Sequence, residues 1–202
     1  MIFLNQVKDT RYVVQINFFH DLMFKINVKV IFKFHDNGNI KVPIKSECKF
    51  IDSITVNGLK RIFSVTEENE ILIEADKLNN NSENIIVFTL KGESNTDLIV
   101  ISNTFKELEN LFNHLNVLIL KLPLFDFYTS NSKYRLFITI PNRWEIYNKH
   151  EPFQISHEGD NKTICFQSNE PNAIQNLNLS IKSDKIEWKH INEYFYLRKA
   201  KG

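Results

Sequence analysis

Six histidines, two cysteines and 24 acidic residues are the groups with which this 202-residue chain could hold a metal or move a proton. Their spacing argues against both. His20, His35, His114, His150, His157 and His190 never come within five residues of one another, whereas helical and finger zinc sites present two imidazoles about one turn apart. His157-Glu158 opens like HExxH, but position 161 is Asn161 and Gly159-Asp160 reads as a loop. Cys48 and Cys165 lack a CxxC partner and read as free, half-buried thiols in a reducing compartment. Glycine occurs only at 38, 58, 92, 159 and 202, so GxGxxG, GxxxxGK[ST] and GxSxG cannot be written anywhere. That excludes the Rossmann fingerprint, the P-loop and the nucleophile elbow as motifs. Asp97, Asp126 and Asp160 form no pairing legible in the chain. The expectation is a protein with no catalytic residue, no metal ligand and no cofactor.

Charge points the same way. The 25 basic and 24 acidic residues leave a net charge of +1, which argues against a dedicated nucleic-acid or acidic-lipid surface. The basic end Arg198-Lys199-Ala200-Lys201 reads as a solvated chain end. Apolar runs such as Val117–Leu120 fall far short of the ~20 residues a membrane span requires. Met1–Leu4 is too brief for a signal-peptide core, so the expected location is cytoplasmic.

The elements that must position these residues are mostly strands. Phe24, Ile26, Val28, Val30, Phe32 and Phe34 alternate with polar positions, the period-two signature of a strand with one wet face. After Asp36-Asn37-Gly38-Asn39, Ile40–Ile44 is expected to return as its partner. Cys48–Val56 reads as a strand ending at Asn57-Gly58, with Leu59–Val65 coming back. Further strands are predicted at Tyr12–Phe19, Ile71–Glu74, Ile85–Leu90, Tyr134–Ile140, Ile164–Phe166 and Leu177–Ile181. Phe105, Leu108, Leu111, Phe112 and Leu115 instead fall at helical spacing behind Thr104-x-x-Glu107, predicting one short helix near 104–115. Asp184–Arg198 fits either state. The fold class is mainly β, an antiparallel β-sandwich with that single helix, in one domain over 1–202. The loop near 92–97 is where two sub-sheets would part.

Leu122-Pro123-Leu124-Phe125-Asp126-Phe127, then Lys133-Tyr134-Arg135-Leu136-Phe137-Ile138-Thr139-Ile140-Pro141 with Trp144 and Asn148, resembles a known segment. It is similar to the "P-x-F/W-D-x-P … K-A-x-F-x-L-x-I-x-x-P" region in the N-terminal domain of M1-family zinc aminopeptidases. Ile51–Gly58 is similar to that domain's "V-x-V-N-G" strand end, and Phe166–Pro171 with Leu177–Ile181 to its "F-x-x-S-x-P … Y-L" passage. Tyr128 stands where the family has proline, Tyr134 where it has alanine, and Phe112 and Ile119 near its upstream glutamine and arginine.

The resemblance covers about residues 12–185 and implies a saddle-shaped β-sandwich without the zinc site, which belongs to the family's following domain. The expected function is therefore a non-catalytic accessory or interaction domain. One alternative is the detached N-terminal part of a longer M1-type enzyme; another is an unrelated sandwich binding a peptide, carbohydrate or lipid. By the same resemblance Leu124, Phe125, Asp126, Phe127 and Tyr128 are the candidate docking residues for a catalytic or other protein domain.

Overall fold

A computed structural model describes residues 7–19, 22–35, 39–43, 50–67, 70–96, 98–102, 117–124, 133–148, 150–170, 174 and 177–183. The helix expected near 104–115 and the ambiguous stretch Asp184–Arg198 lie outside these residues. Fourteen strands occur among them: β1 Val7–Phe18, β2 Met23–Phe34, β3 Ile40–Pro43, β4 Ile51–Val56, β5 Leu59–Arg61, β6 Glu70–Ile73, β7 Ser82–Glu93, β8 Leu98–Ser102, β9 Leu118–Leu120, β10 Lys133–Pro141, β11 Glu145–Asn148, β12 Gln154–Glu158, β13 Asn161–Ser168 and β14 Asn178–Lys182.

β2 shows why the large sheet forms. Its even-numbered residues from Phe24 to Phe34 are all buried, and its odd-numbered ones face outward. β1 alternates in step, with Tyr12, Val14, Ile16 and Phe18 inward. β2 is hydrogen-bonded to β1 on one side and β7 on the other, within an eight-stranded sheet of order β12-β13-β10-β1-β2-β7-β4-β5. A second sheet, β11-β14-β8-β9, supplies the other layer, and β3 with β6 forms a separate two-stranded ribbon. Apolar residues of all three meet in one core cluster, among them Phe88, Ile99, Leu179 and Ile71. The architecture is mainly β and sandwich-like, as expected.

Two pairings are parallel: β1 with β10, and β8 with β9. The return strand of Phe24–Phe34 also differs from expectation. Ile40–Pro43 pairs with Glu70–Ile73 rather than with β2, because both edges of β2 are already occupied. Asn57 and Gly58 do form the expected tight turn, with φ of 50° and 81°, the left-handed conformation that a two-residue hairpin needs. Ser94–Thr96 follow β7 of the large sheet, ahead of β8 in the small one. There Ser94 Oγ donates to the Thr96 carbonyl at 2.7 Å. Four strands were not anticipated, among them β9, which is only three residues long. β8 is buried at every position and so shows no alternation, while β11 and β12 are short and largely polar. His157-Glu158 therefore closes a strand instead of lying in a loop; the Gly159-Asp160 turn follows it.

Candidate interaction surfaces

The chemistry-bearing residues are dispersed by this topology. His35 and His157 are exposed and well separated in the sheet order, His35 just after the interior strand β2 and His157 on the edge strand β12. Each sets its Nδ1 against an asparagine oxygen: Asn81 at 2.8 Å and Asn142 at 3.0 Å. His150 is exposed as well. Among the described residues no three His, Cys, Asp or Glu side chains converge as metal ligands would, so those residues do not fit a zinc site. Cys165 is a free thiol on β13, buried, and burial pushes its pKa up. A thiol that resists ionisation is a poor nucleophile.

The stretch expected to dock a partner begins where β9 ends. β9 lies parallel to β8, with Ile101 beside Leu120. The chain then runs through Leu122, Pro123 and Leu124, and both leucines join the core, at 5% and 7% exposure. Leu124 is thus a packing residue. Phe125, Asp126, Phe127 and Tyr128 lie outside the described residues.

Two open surfaces carry features that were not foreseen. The first is the wet face of the large sheet. Arg11, Lys25, Lys29, Lys33, Lys91, Lys133 and Arg135 project from it, since each sits on the outward parity of its strand. Arg11 pairs with Glu83, Lys33 with Asp9 at 2.8 Å and Lys91 with Asp52 at 3.1 Å. Lys25, Lys29, Lys133 and Arg135 make no such pair among the described residues, so basic side chains outnumber acidic ones among the described residues of this face. The second surface is the β12 edge, where Phe153 and Ile155 are 63% and 52% exposed.

No helix among the described residues is long and apolar enough to cross a membrane.

No protein-family model and no curated protein matches the chain. Solved structures do share its fold. An M1 zinc metallopeptidase from Deinococcus radiodurans, a mutant bound to a Tyr-Ser-Ala substrate, superposes with a TM-score of 0.60 at 10% identity, over 88% of this chain and 43% of the metallopeptidase chain. Another structure of M1 zinc metallopeptidase from that organism gives a TM-score of 0.58 at 9% identity, over 88% and 42% of the two chains. A two-domain M1 zinc metallopeptidase mutant bound to L-tryptophan gives 0.60 at 10% identity, with 88% and 43% covered. At such identity the likeness is one of fold. The chain spans less than half the length of these structures.

Proposed function

We propose that this chain is a non-catalytic β-sandwich module, a counterpart of the N-terminal domain of M1 metallopeptidases, that works by docking against another protein domain. The unequal coverage carries the reading: 88% of this chain aligns with only 43% of the metallopeptidase chain. Peptide hydrolysis by such enzymes needs zinc ligands and a general base gathered in one cleft. In this reading they reside in the part of those enzymes that has no counterpart here. The same coverage also favours a second reading, in which the chain is the N-terminal part of a longer M1-type enzyme. A cytoplasmic location belongs to the proposal, supported by the free, buried Cys165.

Two measurements test this. The purified chain, with and without added zinc, should hydrolyse aminoacyl p-nitroanilides no faster than buffer. Turnover that scales with chain concentration and is abolished by a chelator would refute it. For docking, Phe125→Ala and Phe127→Ala should leave the melting temperature nearly unchanged while weakening capture of the partner domain. Leu124→Ala should instead cost about 2–5 kcal/mol of stability, the range for a leucine truncated in a core. Collapse of the fold in all three variants would remove the docking role.

A further inference from the structure

The two edges of the eight-stranded sheet are unequal. At one edge β5 is three residues long and includes Lys60 and Arg61; short, charged strands discourage pairing with another chain. At the other edge β12 runs over five residues, Gln154–Glu158, all exposed. It contains no proline or lysine, and its register with β13 is unbroken. Its inward side is open too. Ile155 is 52% exposed although its neighbour Ile164 is 7% exposed.

The direction of the free backbone groups follows from the turn. Glu158 and Asn161 flank a two-residue loop, and such a loop closes on a hydrogen-bonded pair. Alternation along an antiparallel ladder makes Ser156 and Gln154 the next residues bonded to β13. The N–H and C=O groups of Ile155 and His157 therefore point away from the sheet, into solvent.

We infer that two copies of this chain associate by antiparallel pairing of β12 with β12 about a twofold axis at Ser156. In that register Ile155 of each copy lies opposite His157 of the other, so the two residues with free backbone groups satisfy one another. Gln154 lies opposite Glu158, setting an amide donor against the strand's single carboxylate. The Phe153 N–H is spent on the Cys165 carbonyl at 2.8 Å, so the free edge begins at Gln154. An axis moved to His157 would set imidazole against imidazole. Five residues per copy bury much less than the about 1,600 Å² of a standard interface, so the dimer is weak and concentration-dependent.

The register predicts a specific cross-link. Ser156 meets its own copy as a non-hydrogen-bonded pair, with Cα atoms about 4.5 Å apart, inside the span of a disulfide. Ser156→Cys in the full chain should give a dimer under mild oxidation several-fold faster than Gln154→Cys or Glu158→Cys alone. Peptide mapping should place the bond between the two position-156 thiols, distinct from Cys48 and Cys165. Mixing the Gln154→Cys and Glu158→Cys proteins should yield the mixed dimer. Sedimentation velocity of the unmodified chain should show reversible dimerisation as concentration rises from micromolar to millimolar. Ile155→Pro removes an outward N–H only, and should abolish dimerisation while preserving the fold by circular dichroism. A chain that stays monomeric at millimolar concentration overturns the inference. So does equal cross-linking at 154 and 156, a dimer that survives Ile155→Pro, or an edge that pairs only with a different protein.

Discussion

Gly92→Ala should destabilise the sandwich, although alanine is ordinarily no worse than glycine in a strand. Gly92 sits on β7 opposite Phe24 on β2, and its φ lies outside the left-handed region. On backbone grounds alone, alanine would stabilise by about 0.4–1 kcal/mol through a less disordered unfolded chain. The packing opposes this. A Cβ at position 92 would lie 2.6 Å from Phe24 Cζ, 2.9 Å from Phe24 Cε1 and 2.7 Å from Phe50 Cδ1. Carbon atoms prefer about 3.5–4.0 Å. Phe24 cannot easily swing aside. It is 2% exposed, meets Phe50 edge-on at 5.4 Å and lies 5.9 Å from Phe18, which in turn sits 6.1 Å from Trp144. Overpacking of this kind costs about 1–3 kcal/mol, so the net loss is about 1–2 kcal/mol once the backbone gain is subtracted. In urea unfolding this corresponds to a midpoint lower by roughly 0.5 M, and in thermal unfolding to a decrease of roughly 3–6 °C. Phe50→Leu in the same background should recover part of the loss, and a double-mutant cycle would read the coupling. A midpoint that stays level or rises with Gly92→Ala would refute the reasoning.

Asn84→Ala should cost about 2–4 kcal/mol in the same urea assay, because the buried Asn84 amide makes four hydrogen bonds that alanine cannot: Asn84 Nδ2 donates to the Asn79 and Ser82 carbonyls at 2.9 and 3.1 Å, and its Oδ1 accepts from Asn79 N and Asn57 Nδ2 at 2.7 and 3.0 Å. Cys165, whose thiol burial holds above its ordinary pKa, should react slowly with iodoacetamide near pH 8 and rapidly once denatured; because the folded state favours the neutral thiol, its contribution to stability is complete at neutral pH and declines as pH rises past about 8.5. The Lys33 ammonium, hydrogen-bonded to Asp9 Oδ2 at 2.8 Å, holds the Asp9 carboxyl below the usual carboxylate range. That pair therefore acts above about pH 3.9 and is lost as pH falls; Lys33→Met should return the NMR titration of Asp9 to the ordinary range with little change in melting temperature, since both groups are solvated.

Local pattern alone identified the strand at Phe24–Phe34, because one buried and one wet face impose period two on the residues themselves. It also identified the Asn57-Gly58 turn, because positive φ selects those residue types. The missing glycine motifs excluded phosphate-loop chemistry for the same reason: such loops need glycine at fixed places. Pairing was a different matter. Nothing near Ile40 records that both edges of β2 are taken by β1 and by β7, so its true partner, Glu70–Ile73, had to come from the tertiary structure. Likewise β1 and β10 lie side by side in parallel although their paired residues are more than one hundred positions apart. β8 escaped detection because burial on both faces erases alternation. Leu124 belongs to the candidate docking stretch, and only the tertiary structure shows it packed into the core. Ile155 shows the converse. Its parity on β12 marks it as inward-facing, but whether an inward residue is buried depends on how far the opposing sheet extends. That extent is set by the pairing of distant strands, and the sequence around Ile155 carries no trace of it.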